Sequence, residues 1–161
     1  MEQGGSKDLF KWLFYTGLFT GTLDILSAFI IAYKAGPAII LRSIASGVFG
    51  MQAFTAGAQV IFLGLLLHYL IAFIWSSLFF MVYNRLLQVL KFRFAIVLVI
   101  GLVIWAVMGF VVVPLSNAPG SHYTIIGQLK AIIALIIAFG LPVTIIADKF
   151  YGSITYYPKP Q

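Results

Sequence analysis

The chain has 161 residues, of which 62% are hydrophobic and 9% charged, against roughly 45–50% and about 25% in soluble domains, and this excludes a soluble globular reading. Its formal charge of +6 comes from Lys and Arg set singly between long apolar runs, which excludes a nucleic-acid-binding stripe and fits membrane flanks. There is no cysteine, so disulfides, thiolate metal sites, a cysteine nucleophile and c-type haem attachment are excluded as well.

The N-terminal stretch MEQGGSKDLFK carries Glu2 and Asp8 and leads into an apolar run of span length with no A-x-A-like cleavage site. It therefore reads as retained rather than as a secretory signal. A bilayer core of about 30 Å needs about 20 mainly apolar residues per helix, and four such stretches are present. They run from about Trp12 to Tyr33, Val60 to Tyr83, Phe94 to Val113 and Leu129 to Ala147. None shows the short apolar/polar alternation of barrel strands. The expected fold is an all-α membrane protein, one transmembrane domain over residues 1–161 built as a bundle of four transmembrane helices.

Between spans 1 and 2, Ala38 to Gly50 places Arg42, Ser43, Ser46, Gly47 and Gly50 at recurring helical offsets, with Ile39, Ile40, Leu41, Ile44, Ala45, Val48 and Phe49 filling the rest. This predicts a short amphipathic helix. At 1.5 Å per residue it is about 20 Å long and cannot cross, so it is interfacial or re-entrant, with Gly47, Gly50 and Gly57 suited to a turn back. Lys7, Lys11, Arg85, Lys91, Arg93, Lys149 and Lys159 fall on one side of the four spans, and Lys34, Arg42 and Lys130 on the other. The positive-inside bias then predicts that both termini face the cytoplasm.

Helices in lipid associate by close packing of small residues and a few hydrogen bonds. Span 1 offers Gly17, Gly21 and Ala28 on the stripe that carries Asp24. Span 2 offers Gly64, His68, Ala72 and Ser76 at four-residue steps. Span 3 offers Gly101, Trp105 and Gly109. Span 4 offers Gly127, Ala131, Ala134 and Ala138 ahead of a kink expected near Gly140, before Pro142. The Gly17 to Gly21 GxxxG pair also fits a homodimer, and such stripes fit a membrane-protein partner.

Asp24 is the most informative residue. A carboxylate near a helix centre costs roughly 2.5–3.5 kcal/mol on the insertion scale, which about ten Leu, Ile and Phe residues of span 1 offset. Asp24 lies about nine residues from Tyr33, His68 about eight from Val60 and Trp105 about nine from Pro114, which places all three roughly 12–14 Å deep. Arg42 joins that layer if its helix is re-entrant. Asp24, Arg42, His68 and Trp105 are thus the candidate polar intramembrane site. They either line a cavity for a proton, ion or small solute, or satisfy one another as helix glue. Other constellations are missing: there is no H-E-x-x-H, P-loop, G-x-G-x-x-G or G-x-S-x-G, and no cofactor, metal or catalytic set is expected. His122 sits in a loop beside Pro119 and Gly120, Ser116 to Ser121 reads as a turn, and Asp148 at the end of span 4 is too remote to pair with Asp24.

The strings GTLDILSAF, LRSIASGVFG, GLLLHYLIAF and VPLSNAPG resemble those of small uncharacterised bacterial integral membrane proteins, and more distantly the YagU-like inner-membrane family. The resemblance implies a bacterial inner membrane and four helices, and it includes Asp24, Arg42 and His68 in its strings without giving them roles. Two functions follow from the sequence. The first is a non-enzymatic structural or accessory membrane protein meeting lipids and a partner; the alternative is a carrier of protons, ions or small solutes using the Asp24, His68 and Arg42 layer.

Overall fold

A computed structural model of the chain describes residues 3–120 and 124–155; His122 and the tail from Tyr156 lie outside the described residues. Helix α1 (Gln3–Ile31) is followed by the short helices α2 (Pro37–Phe49) and α3 (Gln52–Thr55), and then by the long α4 (Gln59–Leu90). A third rod consists of α5 (Arg93–Val107), a π-helical turn (Met108–Val112) and α6 (Val113–Leu115). The fourth consists of α7 (Ile125–Leu135), a second π-helical turn (Ile136–Gly140) and α8 (Leu141–Thr155). Among the described residues there is no strand, and four rods are long and apolar enough to cross a membrane: Leu9–Ile31, Gln59–Leu90, Arg93–Leu115 and Ile125–Gly152. The chain is an all-α membrane bundle.

Two boundaries move. Span 2 continues past Tyr83 to Leu90, because no breaker intervenes until Lys91 takes a left-handed conformation at φ 60° and stops the helix. At 32 residues α4 is about 48 Å long, more than a bilayer core needs. Span 4 begins at Ile125, four residues before Leu129, because the Thr124 hydroxyl accepts the Gly127 amide at 3.1 Å and caps the helix. The expected kink near Gly140 takes the form of the π turn Ile136–Gly140. Both π turns end two residues before a proline, Pro114 and Pro142. A proline supplies no amide hydrogen and crowds the carbonyl four residues back, and a widened turn accommodates both defects.

The packing has polar and small groups inside and large apolar groups outside. Thr16, Thr20, Ser46, His68, Ser76 and Thr144 are buried, while Phe14, Phe19, Phe62, Leu70, Phe110 and Ile133 are exposed around the bundle. That arrangement suits lipid, where apolar surface needs no cover and polar groups do. Helix α4 buries Gly64, His68, Ala72 and Ser76 together, so the expected four-residue stripe is the face turned inward. A Cβ on Gly64 would run into the backbone carbonyl of Leu41 in α2, and one on Gly17 into the ring of Phe73. A Cβ on Gly101 would stand 2.5 Å from Ile136, and one on Gly140 would stand 2.7 Å from the Val97 carbonyl. These glycines let the rods meet at backbone distance. The Gly17 and Gly21 stripe therefore packs against α4.

Helix α2 has 13 residues and does not cross. Its burial does not follow polarity alone. Leu41, Ala45 and Ser46 are buried, whereas Ile39, Val48 and Phe49 are 44%, 51% and 42% exposed. The reason is that α2 has three environments: the start of α4, a cavity, and the outside. Its two ends are turned by Gly36 at φ 80° and Gly50 at φ 59°, both in the region that favours glycine. Its last turn is fastened to the loop after α6, where the Asn117 amide donates to the Gly47 carbonyl and Asn117 Nδ2 to the Val48 carbonyl, each at 2.9 Å.

Candidate functional site

Helix α1 and helix α4 are joined by three polar links across their facing stripes. The Ser76 hydroxyl lies 3.3 Å from Thr20 Oγ1, Tyr69 Oη lies 2.8 Å from Thr22 Oγ1, and His68 Nε2 donates to the Gly21 carbonyl at 2.8 Å. A carbonyl only accepts, so His68 Nε2 carries a hydrogen and Nδ1 is the ring nitrogen that takes no part in this bond. Tyr69, too deep in span 2 to anchor at an interface, has its hydroxyl satisfied by Thr22. One turn beyond Gly21 comes Asp24, close enough to His68 for their charges to interact, with no hydrogen bond joining them.

Asp24 and His68 share the wall of a cavity of about 650 Å³ lined by α1, α2, α4, α5, the first π turn and the rod of α7. Its size falls within the roughly 300–1,000 Å³ usual for small-molecule sites. Besides Asp24 and His68, its polar lining residues are Ser27, Ser43 and Ser116; the remainder is mainly Ile, Leu, Val and Ala, with Trp75 and Phe139. Among the described residues no buried side-chain nitrogen or oxygen lacks a partner, and no hydrogen bond reaches the Asp24 carboxyl. The half-buried Asp24 oxygens therefore open onto the cavity. Met108 and Val112 of the first π turn and Phe139 of the second line the same space, a placement common for π turns at functional sites.

Two of the four site residues expected from sequence do not join this layer. Arg42 is held by α3, donating from Nη1 to the carbonyls of Ala53 at 2.7 Å and Ala56 at 2.6 Å. It caps the end of that four-residue helix, whose last carbonyls have no partner within the helix. Trp105 points its indole N–H at Gln128 Oε1, 2.7 Å away, and stitches α5 to α7. Depth along its rod places Trp105 near Asp24, and a re-entrant α2 would place Arg42 there, but each side chain is turned to other neighbours. Reading from sequence passed over Ser27, Ser43, Ser116 and Trp75. Ser43 and Gly47, four residues apart on α2, were the available signal.

The far end of the bundle is built differently. Phe79, Phe80, Tyr83 and Phe150 are buried there with Trp12 and Tyr151 packed against them. The Trp12 and Phe150 rings are 5.9 Å apart, which brings the first and last rods together at one end. Asp148 accepts from Tyr83 Oη at 3.0 Å and from Arg93 Nε at 2.9 Å, and Tyr151 Oη donates to the Phe80 carbonyl at 2.6 Å. Asp148 is therefore a clamp between α4, α5 and α8, remote from Asp24 as expected. Arg93 opens span 3 and Asp148 closes span 4, so their meeting was foreseeable from topology. Comparison with protein-family models, curated proteins and solved structures finds no match, and the functional reading rests on the site itself.

Proposed function

We propose that this protein is a membrane carrier that takes a small solute, together with or in exchange for a proton, into the cavity at Asp24 and His68. The observation that carries this reading is the Asp24 carboxyl on the wall of a cavity of about 650 Å³ with no hydrogen-bond partner. A carboxyl serving only as glue would be tied to a neighbouring helix, since leaving one unsatisfied in apolar surroundings is costly. The structural or accessory role has less support, because the small-residue stripes of spans 1 and 2 that would meet a partner are occupied within the chain. The reading is non-enzymatic and needs no cofactor; the partners are lipids and the solute. The distribution of Lys and Arg and the resemblance of its strings favour a bacterial inner membrane with both termini in the cytoplasm and the α2 end outward.

Because the chain contains no cysteine, single substitutions such as Ser43→Cys and Ala134→Cys can be labelled without background. A small membrane-impermeant thiol reagent added to sealed proteoliposomes should modify both, from the α2 side, and a prior load of solute should slow it. Proteoliposomes under an imposed pH gradient should also show proton flux above protein-free vesicles, lost in Asp24→Asn. Unreactive cysteines together with flux at the protein-free level would remove the carrier reading.

A further inference from the structure

The cavity's inventory of donors and acceptors is one-sided. Ser27 Oγ donates to the Asp24 carbonyl at 2.7 Å, Ser43 Oγ to the Ile39 carbonyl at 2.9 Å and Ser116 Oγ to the Val113 carbonyl at 2.7 Å. Each serine hydrogen is thus committed to the backbone, and only lone pairs remain to face a ligand. Asp24 contributes carboxyl oxygens and His68 contributes Nδ1, its Nε2 hydrogen being held by Gly21. Among the described lining residues, with Asp24 ionised, the indole N–H of Trp75 is the one side-chain donor without a hydrogen bond, and no Lys or Arg is present. The charged and titratable groups of the surrounding elements are turned elsewhere. Arg42 of α2 is bound to α3 carbonyls, and Tyr69 of α4 is bound to Thr22. Lys11 of α1, Arg85 of α4, Arg93 of α5 and Lys130 of α7 are exposed and do not line the cavity.

From this we infer that the ligand of the Asp24 cavity is a protonated organic amine with an apolar body, bound in exchange for one proton. The inference rests on the carrier reading of the cavity and names its substrate class. An ammonium group brings hydrogens and a positive charge to a site that offers acceptors and one acid. Its hydrocarbon part lies against the Ile, Leu and Val walls, and Trp75 adds an aromatic ring, which attracts cations. The exchange balances in protons and charge. With no ligand bound, the Asp24 carboxyl on its mainly apolar wall is the neutral acid, because an unpaired carboxylate there is unfavourable. Entry of R–NH3⁺ releases that proton to solvent, and the carboxylate then faces the ammonium with no change in net charge. No bond to carbon changes.

The test uses the whole protein in lipid nanodiscs, with calorimetric titration of 2-phenylethylamine, 2-phenylethanol and 3-phenylpropanoate, each corrected by empty discs. The amine should bind at least tenfold tighter than the alcohol, and the carboxylate weakest. Titrations in two buffers of different ionisation enthalpy should show about one proton released per amine bound, with affinity rising up to about tenfold per pH unit. Asp24→Asn should lose the proton release and the tenfold preference yet keep the alcohol's affinity. Ala134→Leu, which fills the cavity, should weaken all three. Amine binding no tighter than the alcohol's, or without proton release in the wild-type protein, would overturn this inference while leaving a solute-binding cavity in place. Binding of none of the three above empty discs would overturn both.

Discussion

The two ends of the bundle are made from different materials. At the end where α4 and α8 finish, Phe79, Phe80, Tyr83 and Phe150 fill the space between rods and Asp148 ties three of them together. At the α2 end, α2 meets α4 at Gly64, where a Cβ would strike the Leu41 carbonyl, and the rods border the Asp24 cavity, whose walls include Ala72, Ile104 and Phe139 of the core. Large rings fill the volume between rods, whereas a glycine fixes their distance at one contact and fills nothing beside it. The teaching of this contrast is that one end supplies stability and the other supplies a site, so substitutions at the two ends should have separable effects.

The sharpest way to break that contrast is Phe80→Ala, which should cost about 3–5 kcal/mol, the usual range for removing a buried ring. Thermal unfolding in detergent would show it as the largest loss in the set; a change under about 1 kcal/mol would deny that the aromatic end carries stability. Next comes Gly64→Val. Its side chain would meet the Leu41 backbone, which cannot rotate away, so α2 should be displaced from α4 at a cost of about 1–3 kcal/mol. Labelling at Ser43→Cys should then lose its protection by bound solute. His68→Ala removes the bond to Gly21 and should cost about 0.6 kcal/mol, the average for hydrogen bonds between membrane helices, and no more than about 1.7 kcal/mol, the largest such value.

Smaller effects sharpen the contrast further. Lys91 adopts φ 60°, and Lys91→Gly should stabilise the protein by up to about 1 kcal/mol, since glycine takes that conformation without a Cβ clash. Asp24→Asn should leave the unfolding temperature nearly unchanged, within about 0.5 kcal/mol, although it abolishes proton-linked function. A large stability loss in Asp24→Asn, unaccompanied by functional change, would make the carboxyl a piece of the scaffold.

Much of this was legible in the chain itself. Span count followed from the length of the apolar runs, because a bilayer imposes one length on every crossing. The inward face of α4 was readable from Gly64, His68, Ala72 and Ser76, because small and polar residues have only one favourable side in lipid. Asp24 and His68 were brought to one wall as depth counting suggested. Arg42 and Trp105 were not, since counting residues measures height along a rod and leaves its rotation open. The serines of the cavity were hidden for a related reason: a hydroxyl that can satisfy itself on its own helix gives no sign of which way it faces.

Sequence by itself determined that the chain lives in a membrane, crosses it four times and holds a carboxyl where lipid would not accept one. Hydropathy and helix periodicity are local properties, and a run of 20 residues suffices to express them. Only the tertiary arrangement turned Asp24 to the cavity, gave Arg42 to α3 and packed Gly17, Gly64, Gly101 and Gly140 against neighbouring helices. Those outcomes depend on the rotation and separation of rods far apart in sequence, which are settled by contacts such as Gly64 on Leu41 and Gly140 on Val97.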